Sequence, residues 1–571
     1  MTAGSGQPVS RRFSPPGILF SVVLMVLASA PDRRAAAQVE NVPVSNQVYE
    51  FLDRLGVRGI LPLYSNTMIP LSRATVAGLL LEAGAKRDDL SDAEIGYLEK
   101  FKREFARELD RGNEVVSSAG LFNGASPGDL SSDREKYLYF YTDSAASLYL
   151  EFLGSLEHRM GKGDSHGSPH ATFETHGFRA RGTIRGKVGY FAQVANGTLF
   201  GNREFALSDP RLRSSVKFNE LNSPYFDFAE AYIRADLSWF NVEFGREFYR
   251  LGTGYSGRLI FSDDGPATDF LKLDARYGAV RYIFVHGAIL RESVPVSGPF
   301  VRLNDPAHKY YALHRLEFSA FGILNAGFSE MVIYERPSPE FAYLNPFLFL
   351  KSAEHSLRDR DNTLLGLDLE LYPRPGTKLY GSLLVDDVDF SKLGTGWWGN
   401  EFGWQGGAVV SNVAGVNDLD AVVEYTRIEP YVYSHRTAGN AYTNGDFSLG
   451  HHLAPNSDEW LIQVVLRPSS RWRCVAGFRR TRHGENYRDG SGAIVNVGGD
   501  VLLGHRDADP PTARFLAGLR VEMTSLEAGL RFEPVTNLMV FGSYEYRRST
   551  FGMGGGAASD HFYIVKTLLE F

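Results

Sequence analysis

Connections of two lengths alternate along most of this chain. From about Ala145 to Phe571, segments of strand-like composition follow one another, and every second connection is a tight turn, such as 534–536. The other connections are long, namely 199–223, 248–267, 291–307, 334–362, 429–457 and 484–514. Short turns on one side of a membrane and longer loops on the other are typical of antiparallel transmembrane barrels. A soluble sandwich has no reason to sort its loops in this way, although a soluble α+β protein stays an alternative.

The predicted strands have one apolar and one polar face. Side chains at alternate positions of a strand point to opposite faces. Within 365–372, four leucines alternate with Gly, Asp, Glu and Tyr, and the final segment 561–571 alternates similarly and ends on an aromatic residue. Unpaired sheet edges cannot exist in hydrocarbon, so such a sheet must close. We therefore predict an all-β transmembrane barrel of about eighteen antiparallel strands over 145–571, in which the last strand pairs with the strand that begins near Ala145.

The face that is predicted to line the lumen carries charges of both signs. They are Arg315, Glu317, Asp368, Glu370, Glu424, Arg471, Arg473, Arg479, Glu527, Arg531, Lys566 and Glu570. We expect these charges to pair with one another and to fill the barrel. The one cysteine, Cys474, falls on the lipid-facing side, and a single cysteine excludes an internal disulfide.

The N-terminal part of the chain has a different pattern. In residues 1–37, Arg11 and Arg12 precede an apolar run and an Ala-x-Ala site, which predicts a cleaved signal peptide. Residues 38–112 show the spacing of three short amphipathic helices, which predicts a small periplasmic bundle. The expected N-cap residues are Ser45, Ser72 and Ser91, the last within a capping box. The Ser- and Gly-rich stretch 113–144 is predicted to be a linker and lead-in segment.

Composition and charge narrow the class of protein and its partners. A mean hydropathy of −0.20 excludes a bundle of membrane helices. Removal of residues 1–37, with four Arg and one Asp, lowers the formal net charge from −7 to −10. An acidic chain argues against nucleic acid as a partner, because binding to phosphates depends on Lys and Arg.

Three short motifs suggest chemistry but have simpler explanations. The Gly-x-Gly-x-x-Gly run at 252–257 is not followed by a helix, so it does not predict a dinucleotide site. The neighbours Asp386 and Asp387 point to opposite faces of a strand, and His451 with His452 lacks a third, spaced ligand. We predict no catalytic residue, no metal site and no cofactor, although a hydrolase with catalytic residues on separate strands stays an alternative.

Aromatic and polar side chains gather in the long loops, at the end of the barrel opposite Phe571. Some of these rings can belong to the interfacial belt that every barrel needs. Rings beside Asn and Asp are also suited to hold sugars, by stacking and by hydrogen bonds to hydroxyls. The candidate polysaccharide-binding residues are Tyr343, Asn345, Asp361, Trp397, Trp398, Tyr431, Tyr433, Asn456 and Asp458.

A series of short motifs follows in a specific order along the loops and strands. The motifs are Gly245-Arg246, Gly252-Thr253-Gly254 and Gly257-Arg258-Leu259-Ile260, then Tyr334-Glu335-Arg336, Tyr343-Leu344-Asn345-Pro346 and Asp361-Asn362, then Leu365-Gly366-Leu367-Asp368 and Leu379-Tyr380-Gly381 leading to Asp386-Asp387, and finally Glu424-Tyr425-Thr426-Arg427, Pro430-Tyr431, Leu449-Gly450-His451 and Pro455-Asn456-Ser457-Asp458. Their order resembles the Wzi family of outer-membrane capsule-assembly proteins. The resemblance implies an eighteen-stranded barrel, a helical bundle at its periplasmic mouth, and a non-catalytic role in holding capsular polysaccharide. The short, glycine-rich last loop departs from the family.

These observations favour a monomeric outer-membrane barrel that binds surface capsular or exopolysaccharide through its extracellular loops and assists its assembly or attachment. Its expected partners are that polysaccharide and outer-membrane lipid. The alternative is a porin-like channel for sugars or small anions, which a steady single-channel conductance would distinguish from a plugged barrel.

Overall fold

A closed antiparallel barrel of eighteen long strands forms the body of the protein in the computed structural model. The structure describes residues 38–571, except 63, 110–116, 166, 292–307, 359, 553 and all of 208–222 other than 209, 212, 215 and 218. The strands are β1 Ser147–Gly163, β2 His170–Ile184, β3 Val188–Gly201, β4 Tyr225–Asp236, β5 Phe240–Glu247, β6 Thr268–Tyr277, β7 Val280–Ile289, β8 His308–Ala320, β9 Leu324–Arg336, β10 Asn362–Arg374, β11 Thr377–Asp387, β12 Glu401–Ser411, β13 Leu419–Ile428, β14 Ser457–Ser469, β15 Trp472–Glu485, β16 Leu519–Val535, β17 Leu538–Phe551 and β18 Ala557–Glu570.

The last strand closes the barrel against the first, as the sequence predicts. Strand β18 pairs with β1 from Asp560 opposite Gly163 to Glu570 opposite Leu153. Val565 points outward and is 54% exposed, whereas Lys566 points inward and pairs with Glu157 at 3.2 Å. The prediction of about eighteen strands with one apolar and one charged face is therefore confirmed.

The only cysteine lies on the outer wall. Cys474 stands between Leu466 and Leu530 on the neighbouring strands, and Leu530 is an exposed, outward-facing side chain. We expect Cys474 to resist a water-soluble maleimide in native membranes and to react after unfolding, because hydrocarbon excludes the reagent. Asp507→Cys, in an exposed loop of a Cys474→Ser protein, is the matched control and should label at once. Rapid labelling of Cys474 in intact membranes would contradict this orientation.

Seven helices lie among the described residues. They are α1 Val48–Val57, α2 Arg73–Ala85, α3 Asp92–Glu104, α4 Ala106–Leu109, α5 Pro127–Leu130, α6 Arg203–Ala206 and α7 Leu350–Ser356. None of these helices has the length and apolar character needed to cross a membrane. Helices α1 to α4 pack around a shared apolar core that includes Leu52, Val76 and Phe101.

Two of the three predicted helix caps are correct. The Ser72 hydroxyl accepts a hydrogen bond from the Thr75 amide, and Ser91 forms the complete capping box with Glu94. The expected cap at Ser45 is wrong, because α1 begins at Val48, whose amide donates to the Asn46 side chain at 2.9 Å instead.

Residues 38–109, which contain α1 to α4 and which we call the plug, contact the barrel end that carries the short turns. Arg54 of α1 pairs with Asp418 at 3.1 Å and with Asp420, both at the start of β13. Lys378 of β11 pairs with Asp53 of α1 at 3.1 Å. Opposite charges on helices and turns therefore hold the plug in the mouth of the barrel.

Glu50 of α1 is the centre of a second set of ion pairs. Its carboxylate lies 2.7 Å from Arg467, 2.5 Å from Arg473 and 3.5 Å from Arg531. Burial alone would raise the pKa of Glu50, but attraction to these three guanidinium groups outweighs it and lowers that pKa to about 2. Glu50 therefore stays ionised at neutral pH and ties α1 to β14, β15 and β16.

The segment between plug and barrel has more structure than a linker requires. Its short strands Ser118–Gly120 and Glu135–Tyr137 pair in parallel, and Tyr139–Thr142 pairs with the beginning of β1. The division into a bundle at 38–112, a lead-in at 113–144 and a barrel from 145 remains a prediction. The predicted signal peptide, 1–37, lies outside the described residues.

Candidate functional site

Two of the long loops turn into the lumen instead of extending away from the barrel. In the loop 248–267, the amides of Tyr255 and Ser256 donate to the two carboxylate oxygens of Glu424 at 2.7 and 2.9 Å. The Gly-x-Gly-x-x-Gly run thus presents its amides to an anion, as a phosphate-binding loop does, but the anion is a carboxylate of β13. This contact explains the motif without a nucleotide.

The loop 429–457 descends beside it. The Tyr433 amide donates to Asp386 at 2.5 Å, and its hydroxyl donates to the Leu259 carbonyl at 2.7 Å. Tyr442 stacks on Tyr433 with ring centroids 5.2 Å apart. Burial raises the pKa of both phenols, so both stay protonated and donate hydrogen bonds.

The two inward loops meet the plug inside the barrel. Met68 of the plug pairs with Leu251, and the Gly252 amide donates to the Thr67 carbonyl at 2.8 Å. Together with wall residues of β6 to β13 they form one apolar cluster inside the barrel, which we call the lumen core. Its members from plug and loops include Met68, Tyr249, Leu251, Leu259, Ile260, Phe261, Val432, Tyr433, Tyr442, Leu449 and Leu453.

Three of the predicted site residues come together at the mouth opposite the plug, in what we call the outer aromatic cluster. Trp397 and Trp398 have ring centroids 5.6 Å apart, and Trp398 meets Tyr431 edge-on at 5.8 Å. His505, from the loop 486–518, stacks on Trp398 at 3.9 Å with nearly parallel planes. The Lys392 ammonium lies 3.9 Å from the centroid of the Trp397 ring.

The cluster is supported from below and partly open above. Tyr431 is 2% exposed, and burial raises the pKa of its phenol, which donates to the Asn496 carbonyl at 3.3 Å. Trp397 and Trp398 are only half-buried. Residues 397 and 512 form an isolated bridge that joins the loop 388–400 to the loop 486–518. A rigid base with accessible indoles suits a flat, polar ligand such as a sugar ring.

Tyr343, Asn345 and Asp361 lie elsewhere, on the outside of the barrel. The Tyr343 hydroxyl donates to Asp361 at 2.8 Å, and Arg336 donates to the same carboxylate at 2.8 and 3.1 Å. Tyr343 is fully buried and Asp361 is 3% exposed, whereas Asn345 is exposed. Tyr343 and Asn345 belong to residues 337–358, a segment that runs over the outer face of β7, β8 and β9 and that we call the outer-wall strap. Asp361 lies just after this segment, immediately before β10.

Asn456 and Asp458 act as supports at the top of β14. The Asn456 side chain donates to the carbonyls of Gly484 and Ala517 at 2.9 and 3.1 Å. Asp458 accepts from Arg482 and, at 3.0 Å, from the Tyr425 hydroxyl. Both are at most 1% exposed, so they hold loops together.

The predicted site residues therefore divide into three places. The cluster contains Trp397, Trp398 and Tyr431, and the lumen core contains Tyr433. The third place is the outer barrel surface, with Tyr343 and Asn345 in the strap and Asp361 beside it; Asn456 and Asp458, at the top of β14, only support loops. The sequence did not predict His505 and Lys392 as part of the cluster. Nothing in the local sequence of a long loop indicates that an isolated His or Lys will contact a tryptophan ring.

Other groups considered for chemistry have structural partners. His451 is buried, with Nε2 3.2 Å from the Ser256 hydroxyl, while Nε2 of His452 lies 3.5 Å from Glu459. Asp386 is buried beneath Tyr433, and Asp387 is exposed on the opposite face of the strand. In the part of the chain that the structure describes, no three or more His, Cys, Asp or Glu side chains are arranged to hold a metal ion.

A cavity of about 860 Å³ remains between the plug and the wall formed by β3 to β7. It extends from Pro43 and Ser45 of the plug to Leu290 and Asn444 near the outer mouth. Phe191, Phe228 and several carboxylates line it. The lumen is thus not packed solid along this side.

Comparisons with known proteins agree with the fold. A family model described as capsule assembly protein Wzi matches residues 163–552. Wzi from Escherichia coli, an outer membrane carbohydrate-binding β-barrel involved in group 1 capsule assembly, is 13% identical, with a TM-score of 0.53, over 92% of this chain and 99% of that one. OccK3 (OpdO) from Pseudomonas aeruginosa is 11% identical over 74% of this chain and 96% of its own, with a TM-score of 0.39. No curated protein sequence matches this chain.

The structural similarity and the match to the family model support different statements. At 13% identity, the similarity to the Escherichia coli protein shows a shared fold. The family model covers residues 163–552, which is more than half of the 571 residues. The chain therefore belongs to the Wzi capsule assembly family.

Proposed function

We propose that this protein is a non-catalytic outer-membrane barrel that binds a surface polysaccharide and helps to assemble or attach it at the cell surface. The observation that carries the proposal is the outer aromatic cluster, which presents two half-buried indoles on a rigid base at the mouth opposite the plug. Membership of a capsule assembly family and a carbohydrate-binding structural neighbour support the choice of ligand.

The orientation of the protein in the membrane follows from the lengths of the connections between its strands. Transmembrane barrels place their short turns in the periplasm and their long loops outside. The plug contacts the short turns, so it faces the periplasm, and the outer aromatic cluster faces the capsule. The partners are then polysaccharide above and lipid around the barrel, which acts as a monomer.

Among the nine candidate residues, the proposal assigns glycan contact to Trp397 and Trp398. Tyr431 and Tyr433 position the loops beneath them, and Asn456 and Asp458 fix the strand ends. Asn345, which is exposed, stays a candidate at a separate place. The lumen core fills the side of the barrel formed by β6 to β13, and the plug contacts the mouth that carries the short turns. Both restrict passage through the lumen, which favours binding over a porin-like role.

Replacement of Trp397 and Trp398 by Ala is expected to weaken polysaccharide binding about tenfold or more, because the loss of an aromatic anchor typically costs over 1 kcal/mol. A glycan array first identifies the ligand, and titration of that glycan measures the change.

Trp239→Ala is the matched control, because Trp239 is 69% exposed in a short turn at the plug end. This control variant should bind as the unmodified protein does. Undiminished glycan binding and capsule retention by the double Trp variant would reject the proposed site.

A further inference from the structure

The outer-wall strap covers a polar patch on the membrane-facing side of the barrel. Leu316 and Phe318 of β8 are exposed, and they show that even-numbered residues of this strand point outward. On the same face, Ala312 is completely buried. The register places His286 and Val332 beside it on β7 and β9, and both are also buried. The strap packs over Ala312 and Val332 through Tyr343, Leu350 and Ala353.

The contacts beneath the strap are specific. The Glu330 carboxylate of β9, which points outward, accepts hydrogen bonds from the amides of Leu350 and Lys351 at 2.8 and 2.7 Å. His286 lies 2.7 Å from the Tyr334 hydroxyl, which also accepts from the Glu340 amide at 3.1 Å. Polar groups that would otherwise face lipid are thus paired with the strap.

The strap reaches far down the wall. Near the rim it bonds to Tyr334, and at its lowest point the Pro346 carbonyl accepts from the Tyr282 hydroxyl. On β9 itself, the strap bonds to Tyr334 and to Glu330, four residues further from the rim. At ~3.3 Å per residue and a strand tilt near 40°, this is a descent of ~10 Å, within an apolar band that is ~25 Å tall.

Several backbone amides of the strap donate hydrogen bonds to acceptors within the strap itself. The amides of Tyr343 and Leu348 donate to carbonyls three residues earlier, at 3.1 and 3.3 Å. The Phe347 amide donates to the Asn345 side chain at 3.0 Å, and Ala353 donates within α7 at 3.1 Å. Irregular backbone at membrane depth needs such internal bonds, since hydrocarbon offers none.

The surface that the strap presents outward is aromatic and apolar. Phe341, Phe347 and Phe349 are 85%, 89% and 48% exposed. They continue the apolar wall around them, where Phe328 and Leu367 are 42% and 43% exposed. An aromatic surface that continues the lipid-facing band fits acyl chains.

We propose that the outer-wall strap lies within the outer-leaflet hydrocarbon, where Phe341, Phe347 and Phe349 contact lipid acyl chains. The strap then acts as a membrane-embedded cover for the polar patch on β7 to β9, and not as part of the glycan-binding mouth. This inference rests on the membrane location that the proposed function includes.

The test uses the full-length protein in vesicles, with Cys474→Ser as the background and an environment-sensitive fluorophore on single cysteines. Phe347→Cys reports on the strap, Val565→Cys on the outer wall, and Phe390→Cys on an exposed loop, where Phe390 is 79% exposed. Lipids brominated on their acyl chains quench probes in hydrocarbon, and iodide quenches probes in water. A heat-dependent shift on gels confirms that each variant is folded.

The label at 347 should be quenched by brominated lipid as strongly as the label at 565, and hardly by iodide. The strap proposal is overturned, and the membrane location is kept, if lipid quenches the label at 565 but not the label at 347. The label at 347 would then be quenched by iodide, or by neither agent if a second protein covers it. If 565 also lacks lipid quenching, the membrane location itself fails.

Discussion

Arg54→Met is expected to loosen the plug and to raise its rate of cleavage by trypsin about a hundredfold or more. The Arg54 side chain is 2% exposed and joins Glu94 of α3, at 2.9 Å, to Asp418 and Asp420 of the barrel. Met keeps the volume but removes the cation that pairs with Asp418, whereas Glu94 keeps Arg58 and Asp420 keeps Arg467. Breaking a buried pair typically costs about 3–5 kcal/mol. Cleavage of a reversibly opened domain follows the population of the open form. A cost of about 3 kcal/mol raises that population about a hundredfold, because each 1.4 kcal/mol is about tenfold in an equilibrium constant.

The matched control is Arg87→Met in the same domain. Arg87 pairs with Glu99 at 2.5 Å, but both side chains are more than 40% exposed. Exposed ion pairs contribute about 0–1 kcal/mol, so this variant should be cleaved at nearly the unmodified rate. Equal cleavage of the Arg54 and Arg87 variants would show that the ion pairs of Arg54 do not hold the plug.

The barrel itself could be predicted from the sequence, because its signals are local. The period of two in 365–372 fixes which side chains face lipid, and the alternation of loop lengths fixes the direction of each strand. Pairing of the last strand with the first follows from closure. Inward charges were identified for the same reason, and Arg315 does pair with Asp368. The prediction is wrong for Arg471, which lies in the exposed turn between β14 and β15 and pairs with Asp133 at 2.8 Å.

The destinations of the long loops could not be predicted, because they depend on contacts between distant residues. Glu424 meets amides about 170 positions earlier in the chain, and nothing in 252–257 indicates that partner. The loop 334–362 reads as extracellular from its length, but it folds over the outer wall because Glu330 and Tyr334 bind it there. Tyr343 is therefore far from the aromatic cluster.

Within the candidate site, the sequence indicates the residue types but not their exposure. Trp397, Trp398 and Tyr431 were chosen from loop position and chemistry, and they do meet. Tyr431 differs from the two indoles in its exposure: it is buried, and its phenol donates to the Asn496 carbonyl, whereas the indoles are only half-buried. Such a difference depends on how the loops 388–400, 429–456 and 486–518 pack, and no local pattern records that packing.

The second large effect is expected for Arg315→Met, in the lumen. The Arg315 side chain is fully buried and donates to Asp368 at 2.7 and 2.9 Å and to Glu317 at 2.9 Å. Its guanidinium lies over Gly327, where a Cβ would approach Nη2 to 2.2 Å, so the barrel wall is shaped around it. Removal of the cation leaves the buried Asp368 carboxylate unpaired, at a typical cost of about 3–5 kcal/mol. The temperature at which the compact, detergent-resistant form is lost on gels should fall by several degrees.

Arg315→Met combined with Asp368→Leu separates the cost of an orphaned charge from the value of the pair. Replacement of both partners by apolar side chains of similar size is often neutral, because two desolvation penalties disappear together with the attraction. Glu317 still keeps Arg281 at 3.2 Å and the Thr67 hydroxyl at 2.7 Å. We therefore expect the double variant to recover more than half of the lost thermal stability. A double variant no more stable than Arg315→Met would mean that the barrel needs this ion pair itself, for example to align β8 with β9 and β10 while the sheet closes.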